Sequence, residues 1–232
     1  MKKFWLKLSW LALFGSFFVV PILVSAQNIK TFTIGQQADI TPEQSGLDMD
    51  EAEFIEMVNS VPLDDKSAEL IRKFQEKEGR NRLYNREYNS KNGCTVETYR
   101  NKEVLLITIP ASALFAPNDT VLRKSAATLL NPLKRYLRDP DMYRVLTVMH
   151  TDNTGSQNYR DRLTEKRSDA IHDWFGEQGV DTSYLFPFAF GDDMPLVENN
   201  SMSNREKNRR LEVYLVPGTK MLEQAKKGRI VF

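Results

Sequence analysis

Met149-His150-Thr151-Asp152-Asn153-Thr154-Gly155 marks the point where one sequence pattern gives way to another. Before it, Tyr143 to Met149 is a short apolar run of strand length. After it, Ser156 to Gln178 places Tyr159, Leu163, Ala170, Ile171, Trp174 and Phe175 at three- and four-residue spacing, a helical stripe closed by Gly179. A buried strand therefore feeds a long helix through a polar turn.

Working outward, Thr95–Arg100 and Glu103–Ile109 are rich in β-branched residues and separated by Asn101-Lys102, so they read as a hairpin. Asn92-Gly93 marks a turn before it, and Pro110 ends the second strand. A helix is expected from about Thr120 to Arg138, capped by Asn118 or Asp119 and kinked at Pro132. Phe186–Phe190 and Leu211–Val216 supply two more strands. The β-α-β-α-β order predicts an α+β sandwich, a mixed sheet with helices packed on one face, over residues 94–217.

The chain opens differently. Lys2, Lys3 and Lys7 precede an apolar run from Leu8 to Val24, and Val24-Ser25-Ala26 supplies small residues, so residues 1–26 read as a cleaved secretory signal. A retained anchor is the alternative, but the run is short for a span. No cysteine follows the run, which argues against a lipid anchor. Residues 27–93 form an acidic N-terminal arm: Gln27 to Ser60 carries one Lys against seven Asp and Glu. The arm's second half predicts two short helices. Met49–Asn59 turns Phe54, Ile55 and Val58 to one face, and Asp65–Glu78 carries Leu70, Ile71 and Phe74 before Gly79 as a stop. Residues 218–232, with four Lys and Arg against one Glu, read as a loosely held basic tail.

Composition narrows the function. The 232 residues balance 32 Lys and Arg against 31 Asp and Glu, which argues against a dedicated nucleic-acid binder. Hydrophobic content of 41% is ordinary for a globular protein and excludes a polytopic membrane protein. Cys94 alone cannot form an intramolecular disulfide or a Cys-based zinc site, and it reads as a buried small hydrophobe. Two histidines, His150 and His172, leave little for a metal centre, and no metal or cofactor is expected.

Two charges stand out. Asp152 lies where ligands meet polar groups at the strand ends of α/β sandwiches, although it can equally cap its own turn. Arg167 is four residues after Leu163 and four before Ile171, so it shares their apolar face. A guanidinium there needs a partner, because burying it unpaired is costly. Either it snorkels or pairs with a structural carboxylate, or it waits for an anionic ligand.

Taken together, His150-Thr151-Asp152-Asn153-Thr154-Gly155, Leu163-Thr164-Glu165-Lys166-Arg167-Ser168, Gly191 with Pro195, and Arg205 to Arg210 ending in Asn208-Arg209-Arg210 resemble the OmpA-like C-terminal domain family. The resemblance runs from about Glu103 to Val216. Met149 departs from the family's glycine, Arg160-Asp161 from its asparagine, and Ser168 from its alanine. The resemblance implies non-covalent binding of peptidoglycan in the periplasm, through the diaminopimelate of the stem peptide. Carried onto this chain, it places Asp152 on the ligand's ammonium and Arg167 on its carboxylate. Thr151 and Leu163 would flank the pocket, with Asn118 behind Phe115, and Arg209 beside it. It also implies association with the outer membrane, though the residues before 94 are too few for a transmembrane barrel.

Two rivals stand beside this reading. An enzyme would need a nucleophile, and none accompanies His150 and Asp152, so no catalytic residue is expected. A scaffold or assembly component would use the N-terminal arm to dock an envelope protein, with wall binding as its anchor.

Overall fold

A computed structural model describes residues 51–59, 63–88 and 93–232. The expected signal segment, the first half of the acidic arm and Asn92 lie outside the described residues.

One five-stranded sheet organises the chain. β1 (Thr95–Tyr99), β2 (Val104–Pro110), β3 (Tyr143–His150), β4 (Leu185–Ala189) and β5 (Arg210–Pro217) lie in the order β1-β2-β5-β3-β4. Only β3 and β4 run parallel. The last strand in sequence thus sits at the centre, between β2 and β3.

Alternation along β3 decides the layers. Tyr143, Val145 and Met149 enter one core with Leu105, Ile107, Ile109, Leu211, Val213 and Leu215. Leu146 and Val148 enter a second with Phe186, Phe188, Tyr214 and Val216. The first core is covered by α6 (Gln157–Glu177), through Ile171 and Phe175, and by residues 126–137, through Leu129, Leu130, Leu133 and Tyr136. The second is covered by the first helix of the extension, α1 (Glu51–Asn59). Phe54 sets its ring edgewise to Phe188, Phe190 and Tyr214 at 5.2, 5.5 and 5.1 Å. The α+β sandwich with a helical extension is therefore observed, with the extension closing the face that the domain's own helices leave open. Of the stripe expected on α1, Phe54 and Val58 are buried but Ile55 is exposed.

α2 (Asp65–Lys77) starts where Asp64 accepts the Ser67 amide at 3.0 Å, and it buries Ile71 in the first core. Gly79 does not stop it. The chain continues as a π-helical segment, Glu78–Glu87. A Cβ on Gly79 would lie 2.8 Å from Leu105 Cδ2, so the glycine lets this segment approach β2 closely.

The helix expected over 120–138 also differs. β2 runs into a single turn, α3 (Ala111–Leu114), and residues 115–123 form a bent loop. Helix resumes only at Lys124 and proceeds in pieces: α4 (Ala127–Leu130), a 3₁₀ turn at Asn131–Leu133 and α5 (Lys134–Leu137). The 3₁₀ turn holds Pro132, which has no amide hydrogen to give the preceding turn. Asp119 caps no helix; it accepts the Thr120 and Val121 amides at 2.7 and 3.0 Å and fixes the loop.

The tail is not loose. Gly218 leads into α8 (Thr219–Lys226), which packs against α2 and buries Met221 and Ala225 in the first core. Cys94 is buried as expected, and burial pushes its thiol up to about 11.

Candidate functional site

Sheet register gathers the site. Arg210 pairs with Pro110 on β2 and with His150 on β3. The chain after β2, the chain after β3 and the residue before β5 therefore meet at one end of the sheet. These are the 115–119 loop, Thr151-Asp152 and Arg209. The first turn of α6 joins them.

Asp152 is buried, and its two oxygens have separate partners. Oδ1 accepts the Thr154 amide at 2.7 Å, and Oδ2 is ion-paired with Arg209 Nη1. Burial alone would raise its pKa, but the hydrogen bonds from Thr154 and Arg209 outweigh it and hold the carboxyl below its ordinary value. Asp152 therefore stays an anion at neutral pH. The capping role in its own turn is observed, and it uses only one oxygen.

The turn after Asp152 is tight. Gly155 adopts a left-handed φ of +87°, with the Tyr159 ring 2.9 Å from where a Cβ would stand. Ser156 caps α6 by accepting the Tyr159 amide at 3.3 Å. Arg160 closes the turn, donating to the Gly155 carbonyl at 2.6 Å and to Asp192 at 2.5 Å. In this way the loop brings α6 back over the strand end.

Arg167 is 4% exposed, as its place on the apolar stripe requires. Among the described residues its hydrogen-bond partners are backbone carbonyls and not a carboxylate. Nε donates to the Asp119 carbonyl at 2.8 Å and Nη2 to the Ala116 carbonyl at 3.3 Å, while the guanidinium carbon lies 4.9 Å from the Phe115 ring centre. Nη1 takes part in neither bond. Carbonyls carry no full charge, so the cation is solvated by the loop without being neutralised. Burial lowers its pKa, with the Arg209 charge adding to the shift and the Asp119 carboxylate opposing it.

Asp152 and Arg167 form no ion pair among the described residues. Arg209 stands between the two halves, paired with Asp152 and electrostatically felt by Arg167. The remaining expected residues fall around this axis. Phe115 is buried under Arg167. Asn118 is exposed, holds a left-handed φ of +58°, and accepts the Tyr159 hydroxyl at 3.2 Å. Thr151 is buried and donates its amide to the Gly191 carbonyl at 2.8 Å. Leu163 is buried on α6.

Motif reading missed the loop carbonyls of Ala116 and Asp119, since a backbone acceptor leaves no side-chain signature. It also missed how Asn208-Arg209-Arg210 divides its work. Asn208, at the end of α7 (Met202–Asn208), is fully buried and clamps the 197–199 turn through Val197 and Asn199. Arg210 is buried against Glu212 at 2.7 Å. Only Arg209 faces the site, with a side chain 36% exposed. His150 and Asp152, two apart, go to different partners, Glu212 and Arg209. Among the described residues no group of three His, Cys, Asp or Glu could hold a metal ion. No described helix is long and apolar enough to cross a membrane.

This end of the sheet thus carries a buried acid and a buried arginine held by backbone carbonyls. Residues 114–209 match the OmpA family model. The chain is 26% identical over 125 residues to the probable lipoprotein YiaD of Escherichia coli (54% of this chain, 57% of that one). It is 28% identical over 99 residues to the peptidoglycan-associated lipoprotein of Legionella pneumophila (43% and 56%). It thus spans under two thirds of either relative's length. The putative MotB-like protein of Desulfovibrio vulgaris superposes with a TM-score of 0.55 at 23% identity, covering 65% of this chain and 95% of that one, a likeness of fold.

Proposed function

We propose that this domain binds peptidoglycan non-covalently and tethers or organises the cell envelope, by gripping the free end of diaminopimelate in the stem peptide. The observation that carries the reading is the pair of buried, opposite and separately held charges, Asp152 and Arg167. The free end of diaminopimelate has an ammonium and a carboxylate on one carbon. Asp152 takes the ammonium. Arg167 takes the carboxylate through the guanidinium edge that includes Nη1, and Arg209 steadies Asp152 from the rim. Each charge-assisted hydrogen bond is worth about 1.5–3 kcal/mol net. A wall with many stem peptides adds rebinding. The name of the Legionella relative supports this ligand class, and the names of curated relatives support a place in the periplasm beside the outer membrane. On this reading the domain binds and does no chemistry.

Co-sedimentation with purified sacculi tests the site. Asp152→Ala and Arg167→Ala abolish it while circular dichroism keeps the native signal, and free diaminopimelate competes with the wild type. Arg167→Lys binds poorly, because an ammonium lacks the fork. Wild-type sedimentation by both alanine variants removes the assignment. The scaffold reading narrows. α1 and α2 spend most of their apolar residues on this chain's own cores, Ile55 excepted, which leaves the acidic residues 27–50 as the larger part of the arm for a docking partner.

A further inference from the structure

The opposite end of the sheet carries a second concentration of charge. β3 runs from Tyr143 to His150, so this end lies roughly 23 Å from the first at ~3.3 Å per residue. Tyr143 packs there against Tyr136 of α5 at 5.1 Å, and Phe232 lies 5.6 and 5.1 Å from the two rings. Beside them the π-helical segment and residues 131–138 enclose a cavity of about 420 Å³.

Its wall holds four cations, Arg82, Lys134, Arg135 and Arg138, against one carboxylate, Glu87. Glu78 anchors the wall. It accepts the Tyr136 hydroxyl at 2.9 Å and pairs with Arg82 at 3.0 Å and, more distantly, with Arg135 at 3.9 Å. One anchoring carboxylate thus serves two guanidiniums that come from different elements. Lys134 is held by Gln178 at 3.0 Å and lies over the Trp174 ring. Arg135 is held more loosely. Its guanidinium lies 4.2 Å from the centre of the Phe232 ring, and its Nε, the atom 3.9 Å from Glu78, is buried and makes no hydrogen bond among the described residues, while the side chain as a whole is about a third exposed. A buried donor of a charged group left unmade is costly. The four cations still outnumber Glu78 and Glu87, and that excess of positive charge around a concave space favours an incoming anion.

We infer that this cavity is a binding site for a phosphate-bearing ligand. Arg135 donates to the phosphate, Arg82 and Arg138 flank it, and the apolar wall of Leu83, Pro132 and Tyr136 takes the carbon portion. Guanidinium forks converging from two elements suit an oxyanion with several acceptor oxygens better than a single carboxylate. The space admits a headgroup and not merely a lone ion. This inference does not depend on the sacculus reading.

The test uses the full chain, with Lys134→Gln/Arg138→Gln and Lys134→Glu/Arg138→Glu as variants. The first keeps the assay interpretable if the second fails to fold. Glycerol 3-phosphate is titrated by NMR against the arginine side-chain signals. Flotation compares phosphatidylglycerol vesicles with phosphatidylcholine vesicles. The excess on the anionic vesicles is the readout, because the apolar run from Leu8 to Val24 can itself enter either bilayer. Glycerol 3-phosphate shifts the Arg135 Nε–H signal, the glutamine variant binds about tenfold more weakly, and the glutamate variant does not bind. Sacculus sedimentation stays at the wild-type level in both. An excess on phosphatidylglycerol that both variants lose assigns the ligand to a lipid surface. Phosphate binding without that excess assigns it to a soluble phosphoester. No shift and no excess, or equal binding by wild type and glutamine variant, overturns the site.

Discussion

Arg209 and Arg210 are adjacent in sequence and live in different physical worlds. Arg210 is buried in the ladder, bonded to Glu212 at 2.7 Å and to the Asn208 and Met194 carbonyls at 3.2 and 3.1 Å. Glu212 also accepts the Tyr214 hydroxyl at 2.7 Å, and His150 Nε2 stands 3.4 Å from it without hydrogen-bond geometry. Arg209 makes one ion pair, to Asp152, and keeps a third of its side chain open. Arg210 and Glu212 answer each other's charge directly, and the His150 ring beside them is buried without a hydrogen bond among the described residues. In the Arg209 cluster Asp152 and Arg167 are not paired with each other, and Arg167 rests on two carbonyls and the Phe115 ring. The difference teaches that a buried charge signals function by how incompletely the protein itself answers it.

Substitution separates the two regions. The largest effect belongs to Arg210→Met. Removing one partner of a buried ion pair costs about 3–5 kcal/mol, so urea unfolding shifts by that amount while sacculus binding per folded molecule stays near wild type. Arg209→Met reverses the pattern. Asp152 is buried but keeps the Thr154 amide and Arg209 is a third exposed, so the loss of stability is smaller, about 1–3 kcal/mol, while sacculus affinity falls by about tenfold once Asp152 loses its brace. Equal destabilisation by the two variants breaks the comparison.

Acid sharpens it further. Burial alone would raise Glu212, but His150, Arg210 and Tyr214 outweigh it and hold the carboxyl at about 2, from an ordinary 4.5. A carboxyl depressed in the fold stabilises it above the ordinary value and loses that contribution as pH falls towards the folded one. His150 lies below its ordinary 6.5, first because of burial, so the neutral ring is the native form. Unfolding free energy measured against pH therefore begins to drop below 6.5 and drops again from 4.5 towards 2. Arg210→Met shrinks the lower step at Glu212, whereas Arg209→Met removes only the share that Asp152, lowered from 3.8, adds to it.

Much of this was legible in sequence. β3 and α6 declare themselves because a strand buried on both faces reads as an apolar run and a helix over a core shows its 3.6-residue period. Asp152, Arg167 and Arg209 were found by spacing and resemblance. What escaped was decided by tertiary contact. Gly79 reads as a helix stop, yet it serves close approach to Leu105, a residue far along the chain. Met221 and Ala225 have helical spacing, but their lysine-rich surroundings hide a stripe that only α2 reveals. The loop carbonyls under Arg167 had no sequence signal at all.

The strand order sets a timetable for folding. β1-β2 and β3-β4 are local pairs, but β5 is the bridge between them and comes last in sequence. A chain delivered from its N-terminus therefore holds two unjoined half-sheets until residue 217 arrives. Both faces of the sheet stay unsealed for that interval, so this chain is most exposed to aggregation just before its final strand clears the exit, and it stays threadable until then.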